Sequence, residues 1–241
     1  MEDGAVASSP SDAEDETDWF SAALLASARR IGGSERLTDA LPRVAEGAAA
    51  MVPGVRDAGV AVRLRDELSC AAHTTETAEA VDRTQIRMAE GPCIDAIAGA
   101  DTVTLTDAAT ETRWPQFVPE ATRHGVRASL SVPLSSTSLV GAVNLHLTRH
   151  ALDDPSARVR IQRSAQMFVA FASLALGAAD RLDELKGALV RRDVIGQAKG
   201  ILMNRYDVDA DEAFDRLRRA SQTTNIKLYE VATWLVTCRE P

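Results

Sequence analysis

Arg191 to Met203 reads RRDVIGQAKGILM, and the way this stretch folds decides the C-terminal part of the chain. Its composition is that of a helix, yet Gly196 and Gly200 sit one turn apart inside it. Each glycine costs a helix interior roughly 1 kcal/mol relative to alanine. The two glycines and Ala198 would leave a shallow strip of helix, with Gln197 and Lys199 beside it. Either something approaches the backbone closely there, or the glycines seat a neighbouring helix of the same module.

Downstream, Asp209 with Glu212 three residues on resembles a capping box, and Ala210, Ala213, Phe214 and Leu217 follow as an i, i+3, i+4, i+7 stripe. The next start falls at Asn225, which takes the cap position, and Leu228, Val231, Ala232 and Leu235 repeat the stripe. Three helices with short links make an all-α module whose two short members would not stand alone. Upstream, the pattern is helical from Pro155 to about Tyr206, near 50 residues, about 75 Å at 1.5 Å per residue. Such a length calls for a partner helix, so either the protein is a dimer or the helix breaks near Gly177. The most apolar run, FVAFASLALGAA from Phe168 to Ala179, falls short of the roughly 20 residues of a membrane span and reads as a buried helix.

The front of the chain alternates helices and strands. From Trp19 to about Val52 the pattern is helical, interrupted at Gly32 to Ser34, with Ser34 as an N-cap for the second segment. Val60, Val62 and Leu64 alternate with Ala61, Arg63 and Arg65 as a half-buried strand, followed by a turn at RDELS and a second strand through Cys70 to His73. TQIRM (Thr84 to Met88) and DTVTLTD (Asp101 to Asp107) read as further strands, with a short helix opened by Gly91 and Pro92 between them. A helix ending at Gly125 precedes two strands, RASLSVPL and LVGAVNLHL, around a loop at Ser135 to Ser138. Helices flanking an antiparallel sheet of five or six strands define an α+β domain.

Charge separates the two parts. Residues 1–180 hold 16 Lys and Arg against 25 Asp and Glu, whereas residues 181–241 hold 11 against 10, so an anionic partner should meet the latter. Cys70, Cys93 and Cys238 are too few for a disulfide framework and lack paired metal-ligand spacing, as expected of a cytoplasmic protein. The first 18 residues are acidic with no positive leader, which reads as a disordered lead-in rather than a targeting segment.

Leu189 to Val236 closely resembles the ANTAR domain, an RNA-binding module of bacterial transcription antiterminators, through IGQAKGILM, AFDRLRRAS and NIKLYEVA in that order. EGPCIDAI, ATETRWPQF, GVRASLSVPL and GAVNLHL resemble a GAF domain of the actinobacterial kind that precedes ANTAR. His146 departs from that likeness, since an aromatic residue often stands after the Asn144-Leu145 pair. The resemblance implies a GAF-like sensor over 19–175, a helical linker over 176–188 and an RNA-binding module over 189–238. It further implies a homodimer that holds two RNA hairpins in tandem against formation of a transcription terminator.

On that reading the RNA-facing residues are Arg191, Arg192, Gly196, Gln197, Lys199, Gly200, Arg205, Arg216, Arg218, Arg219, Ser221, Asn225 and Lys227. The plainer alternatives are solvated charges for the cations, capping for Ser221 and Asn225, and core closure for Tyr206 and Tyr229. In the sensor, Cys93, Trp114 and His146 are the ligand-binding candidates, against an inert thiol, a packing anchor and a strand residue facing core or solvent. No histidine has metal spacing, and no motif for catalysis or for attachment of a cofactor is present, so neither metal, cofactor nor enzyme activity is expected. A non-catalytic adaptor and a DNA-binding regulator are the alternatives. The segment from Asn225 to Val236 holds one Lys and one Glu, a poor match to a basic recognition helix, so no DNA partner is expected, nor a membrane.

Overall fold

In the computed structural model, which describes residues 10–64, 67–136 and 139–238, the elements run α1 (Pro10–Gly32), α2 (Leu37–Met51), β1 (Val55–Leu64), β2 (Glu67–His73), α3 (Glu76–Met88), α4 (Pro92–Gly99), β3 (Val103–Leu105), α5 (Phe117–Arg123), β4 (Ala128–Ser135), β5 (Val140–Leu147), α6 (Pro155–Tyr206), α7 (Ala210–Thr224) and α8 (Leu228–Thr237). The chain divides into two units, 1–180 and 181–241. No helix among the described residues is long and apolar enough to cross a membrane.

The first unit is the expected α+β arrangement, a five-stranded antiparallel sheet in the order β2-β1-β5-β4-β3. Pleating sends alternate residues to opposite faces. One face carries Ala58, Val60, Val62, Leu130, Val132, Val143 and Leu145 into the main core, which Val44 and Ala48 of α2 and Phe168 and Leu176 of α6 complete. The other face is covered as well, so β5 is buried along nearly its whole length. A second cluster gathers Val81, Leu105, Trp114, Phe117 and Val126.

Several local expectations need correction. TQIRM is not a strand but the end of α3, which starts on the Thr75 cap, where Oγ1 accepts the Ala78 amide, and buries Ala78, Val81, Asp82 and Gln85 at helical spacing. The alternation of Gln85, Ile86, Arg87 and Met88 imitates a strand only while Gln85 is counted as an outward residue. Ser34 does not cap α2; the cap position is Arg36, and Ser34 Oγ donates to the Arg30 carbonyl and accepts from Arg43. α1 begins at Pro10, inside the expected lead-in, of which residues 1–9 lie outside the described residues, as do 65–66 in the RDELS turn and 137–138 in the β4–β5 loop. Gly125, at φ +76°, follows α5 as the expected left-handed residue. α6 shows no break at Gly177. Its apolar run is buried on one side only: Phe168, Ala172 and Leu176 enter the core, while Met167, Phe171 and Leu174 are exposed.

Candidate nucleic-acid interface and sensor interior

The second unit closes on five small or aliphatic residues, Ala198, Leu202, Ala213, Leu217 and Ala232. Ala198 therefore faces inward and does not belong to an open strip. Gly196 and Gly200 do: a methyl group at either would meet nothing within 4 Å, so neither glycine seats another helix among the described residues. Asp209 caps α7 by accepting from the amides of Asp211 and Glu212. Asn225 is not the start of α8, as expected, but the left-handed end of α7 at φ 54°, a conformation its short polar side chain tolerates; the N-cap of α8 is Lys227. Ser221 Oγ donates to the Ile226 carbonyl at 2.6 Å and so fastens that turn.

None of the thirteen predicted RNA-facing residues is buried. The arginines on α7 are held by acids: Arg216 and Arg219 share Glu212, and Arg218 pairs with Asp215 at 2.8 Å. Lys199 lies 5.8 Å above the Phe214 ring. Arg191, Arg192, Arg205 and Lys227 have no ion pair among the described residues. Gln197, Gly200 and Arg205 come together in a cleft of about 520 Å³ between α6 and α8, where Asn204 joins them. A smaller cleft, about 220 Å³, lies between α6, α7 and α8 and is lined by Tyr206, Arg216 and Trp234. Asn204 and Trp234 were not singled out from the sequence. Trp234 had a legible signal, since it stands off the Leu228, Val231, Ala232, Leu235 stripe on the outward side of α8.

In the first unit the sheet face beneath α3 carries a buried polar layer. The strand register sets Asn144 of β5 between Gly59 of β1 and Ser131 of β4, and His146 between Asp57 and Ser129. Ser131 Oγ donates to Asn144 Oδ1 at 2.8 Å. Above them Asp82 of α3 occupies the space that a side chain at position 59 would fill: a Cβ there would lie 1.9 Å from Asp82 Oδ2. Asp82 Oδ1 accepts from Gln85 Nε2 at 3.3 Å and lies 3.4 Å from His146 Nε2, while Gln85 Oε1 accepts the Cys93 amide. Asp82 Oδ2, Ser129 Oγ, Asn144 Nδ2 and both His146 ring nitrogens have no hydrogen-bond partner among the described residues. Buried polar atoms without partners are uncommon and mark places where water or a ligand completes the set.

The structure thus brings Cys93 and His146 to one site and leaves Trp114 elsewhere. Trp114 is a packing anchor in the second cluster, its Nε1 donating to Asp95 at 2.9 Å and its ring under Arg113. Cys93 opens α4, but burial, seconded by Asp82, pushes its thiol far above the ordinary range, so the helix start does not yield a thiolate. Cys70, between the sheet and α3, is pushed up to about 12 by burial and then by Asp82 and Glu79. Asp82 and Gln85 carry no signal in the sequence pattern, because the alternation at TQIRM points to a strand and hides the helical face they share.

The GAF domain model matches residues 34–172 and the ANTAR domain model residues 183–236. No curated protein matches the sequence. Among solved structures, the R. palustris bacteriophytochrome RpBphP3 is similar at a TM-score of 0.54 and 11% identity, over 85% of this chain and 46% of that one. The Stigmatella aurantiaca phytochrome photosensory core module follows at 0.53 and 12%, over 95% and 47%. The LuxR family factor CepR2 of Burkholderia cenocepacia, described as N-acylhomoserine lactone dependent, scores 0.54 at 18%, over 68% and 99%. At these identities the likeness is one of fold, and the chain spans about half the length of the two phytochrome structures.

Proposed function

This chain belongs to the GAF domain family and carries an ANTAR domain, and on that premise we propose that it is a signal-responsive transcription antiterminator whose helical unit binds tandem RNA hairpins as a homodimer. ANTAR domains bind RNA in antitermination and GAF domains sense ligands, which makes both parts regulatory. The observation that carries the reading is the placement of charge. α8, the helix that a DNA reader would lay in the major groove, holds Glu230 and no Lys or Arg, whereas the cations stand on α6, α7 and the turn at Lys227. Arg191, Arg192, Arg205 and Lys227, without ion pairs among the described residues, and the open backbone at Gly196 and Gly200 suit the phosphates and splayed bases of RNA loops.

Dimerisation is supported by exposed apolar residues at matched spacing. Phe171 and Leu174 repeat eleven residues on as Leu182 and Leu185, and Met167 and Leu189 each stand eleven residues from Ala178, all exposed on α6. An eleven-residue repeat is a coiled-coil period, and a second copy of the helix covers it. The buried polar layer around Asp82, Asn144 and His146 supports a sensor role for the first unit; that this role is exercised in the cytoplasm, without catalysis and without a resident coloured cofactor, is part of the proposal.

A salt series of gel shifts tests the reading, comparing a tandem-hairpin RNA with duplex DNA. RNA should be retained in preference, and Lys199→Ala should lower the log–log salt slope by about 0.7–0.9. Equal or tighter binding of duplex DNA would overturn it. Light scattering should give twice the chain mass.

A further inference from the structure

The small cleft of the helical unit gathers two aromatic side chains that nothing in the fold requires at the surface. Trp234 is 65% exposed and Tyr206 52%, although the unit has only two other aromatic residues, Phe214 and Tyr229, and both of those are partly covered. Arg216 stands at the same cleft, its guanidinium 4.8 Å from the Tyr206 ring centroid and its Nε held by Glu212 at 3.0 Å. Next to it, sharing Leu235, the larger cleft presents the amides of Gln197 and Asn204 and the cation Arg205, which has no ion pair among the described residues. A flat apolar slot bordered by guanidinium groups and amide edges complements a group that is itself flat and apolar on its faces, polar at its edges and tied to an anion. A nucleotide base has all three properties.

We infer that this cleft receives one unpaired base of an RNA loop, stacked on Trp234, with Arg216 and Arg205 meeting the adjoining phosphates. The inference rests on the RNA-binding reading and specifies where that binding ceases to be purely electrostatic. Stacking on an aromatic ring accepts any base, so the cleft distinguishes looped from paired RNA rather than one sequence from another.

The test uses the full chain and two RNA probes: a pool of two linked stem-loops with randomised loops, and the same stems closed as a continuous duplex. Trp234→Ala should weaken binding of the stem-loops roughly 5- to 150-fold and leave the duplex unaffected. Trp234→Phe should restore most of the loss. The salt slope should be unchanged in both variants, because no cation is removed. As a measurement that needs no variant, ultraviolet crosslinking of the pool substituted with 4-thiouridine should place an adduct on the peptide bearing Tyr206 or Trp234. Stem-loop binding within about twofold of wild type in Trp234→Ala, or adducts confined to other peptides, overturns the proposal while the RNA-binding reading stands. A halved mass in Trp234→Ala overturns it in favour of a second copy covering the cleft. If the wild-type chain retains neither probe, the RNA-binding reading itself fails and this proposal fails with it.

Discussion

The two units treat polar side chains in opposite ways. The sensor unit places Asp82, Gln85, Asn144, Ser131 and His146 in its interior, on the sheet face beneath α3, and has ample apolar core elsewhere to support that. The helical unit has a core of five alanines and leucines and holds its polar groups outside. An interior with unpartnered donors and acceptors can register what enters it, while an exterior of cations can only register what passes by. The first arrangement suits detection and the second suits capture of a long polyanion.

The contrast can be broken at its thinnest point. Leu217 is one of two leucines in the small core, and Leu217→Ala should cost about 2–5 kcal/mol. In a thermal melt the helical unit should then unfold well before the sensor unit; a single transition that moves as a whole would show that the two are not separate cooperative units. In the sensor, Asp82→Leu should cost about 1–3 kcal/mol, because Gln85 Nε2 loses its buried acceptor. Denaturant unfolding reads this, and a more stable variant would mean that the polar layer contributes nothing to the fold.

The next effect has the opposite sign. Since a methyl at Gly200 meets open space, Gly200→Ala should stabilise the helical unit by roughly 1 kcal/mol. A drop in melting temperature would reveal a neighbour on that face that the single chain does not contain. The last effect appears only in alkali. Cys70 holds its proton up to about 12 in the folded chain against 9.0 as the ordinary value, so the folded state binds more protons between those limits. Its contribution is complete below 9.0 and is lost as pH rises towards 12. Melting temperatures of wild type and Cys70→Ala should therefore converge over that window, and parallel curves would count against it.

Much of this was legible where periodicity and burial agree. β4 alternates apolar and polar residues in its sequence, and the stripes of α7 and α8 follow the 3.6-residue period, so these elements stand where the pattern places them. The polar layer was not legible, for a physical reason: hydrophobic patterning assigns Asp82, Gln85 and Asn144 to the outside, and only the closed packing of α3 on the sheet puts them inside. The cap at Asn225 failed differently, because Asn suits both a helix start and a left-handed helix end, and the backbone chose the latter.

The seat of Asp82 over Gly59 has a mechanical consequence. A carboxylate resting in the footprint of a missing side chain, with Asp57 and Ala61 as the flanking residues of the same strand face, works as a detent. α3 cannot slide along β1 without lifting first, so its only inexpensive motion is away from the sheet. In a close-packed interior, a ligand that displaces that one carboxylate from its seat would therefore move the whole helix as a lever rather than a single side chain.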